Sequence, residues 1–246
     1  MKYVGGKVTL AKYIVPYIQK LLVNSNGNYY EPFVGGANIF CKVKANNKIG
    51  SDLDKELIDF LNYLTEFGAD NLPYITEKIY NAIKKEPHKY KSHIVGYVSI
   101  CGAFQGVKFS SYARPKEYCS NNGIYFRDYP LFSLNSVKRQ SLELQQNKGK
   151  FIHSNYLNLQ IPDNSVIYCD PPYKNSLNAC YEANNFDHKE FWKWCRIQSK
   201  HSKLLISEYI ENVPNDFKII WSKEKRNKLS RTNKFKIETL SIKPRG

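Results

Sequence analysis

Short apolar runs alternate with amphipathic stretches along most of the 246-residue chain. The β-branched and aromatic runs predict strands, and the segments with apolar residues at spacings of three and four predict helices. This alternation is typical of an α/β fold with a largely parallel sheet. The predicted strands are Asn28–Glu31, Lys48–Ser51, Phe151–Ser154, Ser165–Asp170, Leu204–Glu208, Lys218–Ser222 and Lys236–Ile242. The predicted helices are Leu10–Leu22, Lys55–Phe67 and Lys189–Ser199.

The segment from about residue 71 to residue 148 departs from this alternation. Its helical patterns are weak, its middle is rich in Gly, Ser and Tyr, and the turn Asn121-Asn122-Gly123 predicts a hairpin. We therefore expect a mainly helical lobe inserted into one α/β domain. Residues 1–55 and 149–246 would form the main domain, and residues 56–148 the inserted lobe.

The charge of the chain is strongly positive. It has 37 Lys and Arg against 22 Asp and Glu, a net charge of +15 and a pI near 9.4. A nucleic acid is the commonest partner of such a surface, although the residue usage of an A+T-rich genome would also produce it. The most basic stretch, Lys223–Lys236, holds seven Lys and Arg and one Glu, and it predicts a basic loop between two strands.

Other compositional features exclude several protein classes. The chain has no apolar run of 18 or more residues and no cationic leader before an apolar stretch, so neither a membrane span nor secretion is expected. Its six cysteines form no C-x-x-C pair, which argues against a zinc framework and a disulfide scaffold. We expect a soluble cytoplasmic protein without a bound metal.

The sharpest motif is Asp170-Pro171-Pro172-Tyr173, directly after an apolar strand. Consecutive prolines fix φ and remove two backbone donors, so the neighbouring carbonyls are expected to accept hydrogen bonds from a ligand. Ligands of open α/β sheets bind beyond the carboxyl ends of strands, where Asp170 stands. The acid, the Pro171 carbonyl and the Tyr173 ring together predict a site for a planar amine. The alternative is a turn with a purely structural role.

A second motif, Y-E-P-F-V-G-G-A-N at residues 30–38, leads from a strand into a glycine-rich turn. Gly35 and Gly36 would let a ligand approach the backbone, and a helix is predicted from about Ile39. The third glycine of a dinucleotide fingerprint is missing, so this turn alone is a weak signal. Asp52 ends the next strand, where an acid can bind the ribose hydroxyls of an adenosine-containing ligand. The alternative for Asp52 is the N-cap of the following helix.

The N-terminal motif Tyr3-Val4-Gly5-Gly6-Lys7 is a third candidate for ligand binding. A phosphate-binding loop of the Walker type needs Ser or Thr after the lysine, and this chain has Val8 there. The sequence therefore argues against a nucleoside triphosphatase.

In their order and spacing, these motifs resemble those of the Dam-type, alpha-group DNA adenine-N6 methyltransferases. The resemblance extends over nearly the whole chain, through Y-V-G-G-K, E-P-F-V-G-G-A-N-I-F, I-G-S-D-L, V-I-Y-C-D-P-P-Y and L-L-I-S-E-Y-I. It implies a Rossmann-like sheet that binds S-adenosylmethionine, with the inserted lobe as the DNA target-recognition domain. The implied activity is methyl transfer to N6 of a flipped-out adenine in a short specific sequence of double-stranded DNA, as in restriction-modification systems.

The resemblance also implies roles for individual residues. The implied cofactor pocket consists of Tyr3, Lys7, Phe33, Gly35, Asp52 and Asp170, with Asp52 on the ribose hydroxyls. The implied catalytic residues are Asp170, Pro171, Pro172 and Tyr173, with Tyr173 stacking on the base.

The candidates for DNA binding are Tyr181, Lys225, Arg226 and Arg231. Tyr181 would close the base pocket, although a plain loop aromatic is an equal alternative. The basic side chains are expected to contact phosphates, because most protein–DNA hydrogen bonds go to the backbone. Arginine to guanine is the commonest base contact, so base reading by the arginines is the alternative.

Two other functions stay open at this point. A cytosine-N4 methyltransferase uses the same amine geometry, although Asp170 favours adenine because Ser is commoner before Pro-Pro in those enzymes. A catalytically inactive DNA-binding protein is the alternative from a different class. A monomer is the favoured state on the duplex.

Overall fold

A seven-stranded sheet forms the centre of the computed structural model, which describes residues 1–120, 123–174, 186–226 and 235–244. The strands are β1 (Asn28–Glu31), β2 (Asn47–Asp52), β3 (Lys116–Ser120), β4 (Gly123–Arg127), β5 (Lys150–His153), β6 (Val166–Cys169), β7 (Lys203–Tyr209), β8 (Lys218–Arg226) and β9 (Phe235–Ile242). The helices are α1 (Ala11–Val23), α2 (Lys55–Phe67), α3 (Glu77–Lys85), α4 (Ser92–Cys101), α5 (Tyr129–Gln146) and α6 (His188–His201). The seven predicted strands of the sheet and the predicted helices Leu10–Leu22, Lys55–Phe67 and Lys189–Ser199 are confirmed, with ends that differ by at most a few residues.

The strand order of the main sheet is β5-β2-β1-β6-β7-β9-β8. The strands β5, β2, β1, β6 and β7 run parallel, whereas β9 is antiparallel to both of its neighbours. The predicted α/β fold class with a mostly parallel sheet is therefore confirmed. The carboxyl ends of β2, β1 and β6 lie side by side at one edge.

Both faces of the sheet are covered, which explains why its strands read as apolar runs. Successive residues of a strand point to opposite faces, so Tyr168 of β6 joins one core cluster and Ile167 the other. The larger cluster contains buried residues of α1 to α5. The smaller one contains Phe191 and Trp194 of α6.

The start of α2 decides between the two interpretations of Asp52. The N-cap is Asp54, whose side chain accepts a hydrogen bond from the Leu57 N–H at 3.1 Å. The N-cap interpretation of Asp52 is therefore wrong.

The predicted helix after the glycine-rich turn is also wrong. The chain forms only a short 3-10 turn over Phe40–Lys42 and is already extended at Val43. Few residues separate this turn from β2. The buried Lys48 amine of β2 donates to the carbonyls of Phe40, Val43 and Asn147 at 2.8, 2.9 and 2.7 Å. The hydrogen bonds to Phe40 and Val43 satisfy carbonyls that a longer helix would have paired internally.

The residues between β2 and β5 supply α2 to α5 and the two-stranded antiparallel pair β3–β4. The predicted hairpin is confirmed by the register Ser120↔Gly123, while Asn121 and Asn122 lie outside the described residues. In α2, the Asn62 side chain exchanges hydrogen bonds with the Phe151 backbone of β5 at 3.0 and 3.2 Å. The division at residues 56 and 148 stays a prediction.

Three findings relate to the compositional expectations. No helix in the described ranges is long and apolar enough to cross a membrane. Within the same ranges, no group of three or more His, Cys, Asp and Glu side chains is arranged to hold a metal ion. The described cysteines, which leave out Cys180, are free thiols.

Gly96 marks a close contact between α4 and α2. A Cβ at this position would lie 2.1 Å from the Glu56 carbonyl oxygen and 3.0 Å from Phe60 Cβ, so the helices would have to separate. We expect Gly96→Ala to lower the free energy of unfolding by about 3 kcal/mol, against a helix-propensity gain of about 1 kcal/mol. Denaturant unfolding measures this change. The reverse exchange at the exposed Ala82 of α3, Ala82→Gly, should cost only about 1 kcal/mol. Equal losses in the two variants would contradict the packing argument.

Candidate active site

The predicted motifs meet at the carboxyl edge of the parallel strands. Glu31 ends β1, Asp52 ends β2, and Asp170 follows β6, so three acids stand at neighbouring strand ends. The loop before α1 brings Lys7 to the same edge, where its amine contacts Asp170. The D-P-P-Y and Y-V-G-G-K motifs, distant in sequence, therefore form one site.

Lys7 is the centre of a buried polar network in this site. Its side chain is only 5% exposed, and its Nζ lies 2.7 Å from Asp170 Oδ1 and 3.2 Å from Glu238 Oε1. The same Glu238 oxygen accepts a hydrogen bond from the Tyr173 hydroxyl at 2.9 Å. The Lys7 amine also lies 4.7 Å from the centre of the Tyr173 ring and donates to the Gly5 carbonyl at 3.1 Å. One ammonium thus connects an acid, an aromatic ring and a second acid.

The network keeps charged groups in a poorly solvated place. Burial would lower the pKa of Lys7, but the charges of Asp170 and Glu238 outweigh it, so the pKa is raised. Burial raises the pKa of Asp170, and the charge and hydrogen bond of Lys7 only partly offset this rise. The Asp170 side chain still keeps 19% of its surface exposed. It can therefore accept a hydrogen bond from an incoming ligand.

Two further buried acids flank the network. Burial raises the pKa of Glu31 to about 8, although its carboxylate accepts a hydrogen bond from the Tyr29 hydroxyl at 2.7 Å. Burial likewise raises the pKa of Glu208 to about 7, against hydrogen bonds from Tyr209 N and Asn212 Nδ2. Carboxyl groups with pKa values this high can take up or release a proton near neutral pH.

The glycine-rich turn is held against Asp52 and Tyr3. Gly35 has a φ of +45°, in the left-handed region that favours glycine, and its N–H donates to Asp52 Oδ2 at 3.0 Å. The other Asp52 oxygen accepts from the Asp54 N–H at 3.1 Å. A Cβ on Gly35 would lie 2.8 Å from the Tyr3 ring, so the absence of a side chain permits this approach. The Asp52 carboxylate therefore links the glycine-rich turn to the start of α2.

Two amide side chains complete the turn. Gln140 of α5 donates from Nε2 to the Gly36 carbonyl at 2.7 Å, which ties the turn to the segment between β2 and β5. Asn38 is 8% exposed, and its Nδ2 has no hydrogen-bond partner within the described residues. A Cβ on Gly6 would lie 2.7 Å from this nitrogen, so the unsatisfied donor lies between the turn and the N-terminal loop. A buried donor without a partner is typical of a site that a polar ligand completes.

Phe33, another residue of the predicted cofactor pocket, lies in a different part of the structure. Phe33 packs edge-on against Phe186 and Phe191 at 5.7 and 5.6 Å between ring centres, in the cluster beside α6. Its place in a cofactor pocket stays a prediction.

The predicted DNA contacts cannot be located in the described part of the chain. Tyr181 and Arg231 lie outside the described residues. Lys225 and Arg226 are the last two residues of β8, and their side chains also lie outside the described part of the structure. All four roles stay predictions.

The sequence patterns do not predict Glu238 or Gln140 as site residues. Glu238 is 1% exposed in β9, but the last predicted strand also contains Lys236, Thr239 and Ser241. Because polar and apolar residues mix in this strand, the sequence gives no signal that the acid is buried. Gln140 carries no signal either, since a polar residue in a helix usually faces solvent.

Comparison with known proteins connects this geometry to a family. The family model described as D12 class N6 adenine-specific DNA methyltransferase matches residues 3–114. The predicted family resemblance is confirmed. The D12 match includes the N-terminal motif with Lys7, the glycine-rich turn and Asp52, while the D-P-P-Y motif lies beyond it.

Individual relatives are bacterial methyltransferases. The chain is 25% identical over 218 residues to the type II methyltransferase M.FokI of Planomicrobium okeanokoites, which covers 80% of this chain and 32% of the relative. It is 21% identical over 214 residues to the type II methyltransferase M1.LlaDCHI of Lactococcus lactis subsp. cremoris, covering 77% and 72%. The modification methylase StsI of Streptococcus sanguinis is 26% identical, covering 70% and 28%. The chain thus spans about a third of the length of M.FokI.

Similar solved structures are more distant. One is magnesium protoporphyrin IX methyltransferase from Synechocystis with bound S-adenosylmethionine, at 9% identity and a TM-score of 0.39, covering 98% of this chain and 81% of that one. Another is a putative class I S-adenosylmethionine-dependent methyltransferase from Listeria monocytogenes, at 12% identity and a TM-score of 0.39, covering 96% and 60%.

Proposed function

We propose that this chain transfers a methyl group from S-adenosylmethionine to N6 of an adenine in a short specific sequence of double-stranded DNA. The observation that carries the proposal is the partly open Asp170 carboxylate beyond β6, held by Lys7 beside Tyr173. The D12 class match supports the reaction and the base. Because the relatives include type II methyltransferases, we place the activity in restriction-modification.

The cofactor would bind along the turn between β1 and β2. Bound there, S-adenosylmethionine supplies a methyl group on a positively charged sulfur. Asp52, at the end of β2, would accept the ribose hydroxyls, and Asn38 Nδ2, which has no partner within the described residues, would gain an acceptor. Tyr3, Phe33 and Gly35 would line the same pocket. The acids at this edge favour the positive charge that the cofactor carries.

The amine of the base would bind at D-P-P-Y. The amino nitrogen of adenine is a poor nucleophile because its lone pair is delocalised into the ring. Hydrogen bonds from its two N–H groups to Asp170 and the Pro171 carbonyl would favour a pyramidal nitrogen with its lone pair directed at the methyl carbon. As the N–C bond forms, the bond between the methyl carbon and sulfur would break with its electron pair on sulfur, leaving S-adenosylhomocysteine. The proton hydrogen-bonded to Asp170 would leave through that carboxylate to solvent. Proximity and orientation can lower the barrier by about 7–11 kcal/mol.

The base must leave the duplex to reach this site, at a cost of a few kcal/mol. Tyr173 would stack on the flipped base. Its ring is fixed beforehand by an edge-to-face contact with Tyr209 at 4.7 Å between ring centres and by its hydroxyl hydrogen bond. The net charge of +15 would attract the phosphates, with Lys225, Arg226 and Arg231 as contacts and Tyr181 near the base.

Methyl transfer to mixed-sequence duplex DNA with labelled S-adenosylmethionine tests the proposed function. Nucleoside mass spectrometry then identifies the product. Label in N6-methyladenine would support the proposal. Label in N4-methylcytosine would retain the site and correct the base. Salt-dependent DNA binding without label in any nucleoside would favour the inactive DNA-binding protein.

The cofactor role of Asp52 predicts a binding defect. Asp52→Ala should weaken S-adenosylmethionine binding by about 10- to 100-fold, because charged hydrogen bonds contribute about 1.5–3 kcal/mol. Isothermal titration calorimetry measures the affinity, and duplex binding without cofactor should be unchanged. The control is Asp70→Ala, since the Asp70 side chain is 95% exposed. Wild-type cofactor affinity in Asp52→Ala would show that Asp52 does not bind the cofactor.

A further inference from the structure

Glu238 contacts two groups of the site from a strand that carries none of the motifs. Its Oε1 accepts the hydrogen bond of the Tyr173 hydroxyl at 2.9 Å and lies 3.2 Å from Lys7 Nζ. The residue is 1% exposed. Both contacts join protein side chains to each other, so they form without a bound substrate.

The backbone of Glu238 is held in the interior of the sheet. In β9 it pairs with Tyr209 of β7 on one side and with Lys223 of β8 on the other. A residue paired on both sides has little freedom to shift, so it can fix the groups that it contacts. Its neighbour Tyr209 also packs edge-on against the Tyr173 ring, 4.7 Å away.

The contacts of Glu238 affect Asp170 through Lys7. The ammonium lies between the two carboxylates, at 2.7 Å from Asp170 and 3.2 Å from Glu238. If Glu238 lost its charge, Lys7 would pair with Asp170 alone. That tighter pair would compete with the amine of the base for the Asp170 oxygens.

We propose that Glu238 is a positioning residue of this site, which fixes the Tyr173 ring and limits the pairing of Lys7 with Asp170. This inference rests on the proposed function, because it needs the D-P-P-Y motif to be the place of reaction. Glu238 acts through its neighbours and need not touch the base or the cofactor.

Three variants test the proposal by steady-state kinetics on duplex DNA. Glu238→Gln keeps the shape and removes the charge, Tyr173→Phe removes the hydroxyl, and the third variant combines both changes. We expect kcat to fall about 10- to 100-fold in each single variant, as for other small displacements in active sites. The KM values for DNA and cofactor should stay within about twofold, because misplacement affects the reaction rather than binding. The combined variant should be no more than a few-fold slower than the slower single variant, since both changes weaken the same contact between Tyr173 and residue 238.

The pH dependence of kcat separates positioning from general damage. The groups that face Asp170 are Lys7, Glu31, Tyr168, Tyr173, Glu208 and Glu238. Asp170 must be ionised to accept the amine, so activity falls as the pH drops through its pKa. The charge of Glu238 raises the pKa of Asp170. Glu238→Gln should therefore move the acid limb of the kcat profile to lower pH. A merely structural loss would reduce kcat without this movement.

Several outcomes would overturn the inference. Wild-type kcat in Glu238→Gln, an unmoved acid limb, or independent effects in the combined variant would each do so. Glu190→Gln at an exposed position of α6, outside the predicted recognition lobe, is the control and should retain wild-type kinetics. If thermal unfolding shows that Glu238→Gln does not fold, Tyr173→Phe decides alone, and wild-type kcat there is the contrary result. An inactive wild-type protein would instead contradict the proposed function, so the two failures are distinguishable.

Discussion

Asp170→Asn is expected to lower kcat for methyl transfer by about 10³-fold while duplex binding persists. The substitution keeps the size of the side chain and removes the charge that would polarise the amine. Lys7 would retain one acid partner, Glu238 at 3.2 Å, so the network should survive and the variant should fold. The loss therefore reports on the reaction rather than on the structure.

The measurement is single-turnover methyl transfer under saturating DNA and cofactor, with duplex affinity measured separately. Asp163→Asn is the matched control, because the Asp163 side chain is 80% exposed and the same atoms are exchanged. The control should retain wild-type turnover. A kcat within tenfold of wild type in Asp170→Asn would show that Asp170 does not take part in the reaction. Loss of duplex binding would show that Asp170 serves the structure instead.

The fold could be predicted from the sequence because both faces of its sheet are covered. Strands buried on both faces are mostly apolar, as in Val166–Cys169, and such runs are visible in the sequence. The wrong prediction of a helix after the glycine-rich turn has a different cause. Ile39, Phe40 and Val43 have helical spacing, but Lys48 from the next strand holds the carbonyls and ends the helix early. Local spacing does not report such tertiary contacts.

The candidate site could be predicted from the sequence only where its residues are contiguous in the chain. The motifs that contain Lys7, Gly35 and Asp170 are short, and each shows its chemistry within a few residues. Glu238 and Gln140 are single polar residues in regular elements, and their partners are far away in sequence. Their role depends on strand order and helix packing. A sequence pattern does not specify which side chain meets which across a sheet.

The structure adds a charge balance that the motifs alone do not give. Lys7 contacts both Asp170 and Glu238, so one positive charge stabilises two negative ones in a place with little water. The two residues affect the pKa of Asp170 in opposite directions, since Lys7 lowers it and Glu238 raises it. Substitutions at these two positions should therefore move the pH profile in opposite directions, which a general loss of stability does not produce.

Lys7→Met is expected to cause the largest loss of stability, about 3–5 kcal/mol in the free energy of unfolding, because it leaves two buried carboxylates without their cation. Methionine keeps an unbranched side chain of nearly the same length, so most of the loss comes from the charge. Denaturant unfolding measures it. Lys89→Met, which breaks an ion pair of a lysine that is 58% exposed, should change the free energy by no more than about 1 kcal/mol.

The pH dependence gives the sign that identifies the cause. Without Lys7, burial and the charge of Glu238 would raise the pKa of Asp170 further, so the acid limb of kcat should move to higher pH. Carboxyls whose pKa is raised in the folded state retain their stability at acid pH and lose it as the pH rises through the raised pKa. The loss of stability in Lys7→Met should therefore be larger at pH 8 than at pH 5. A loss that is equal at both pH values would mean that Lys7 contributes packing, and that the two acids find another cation.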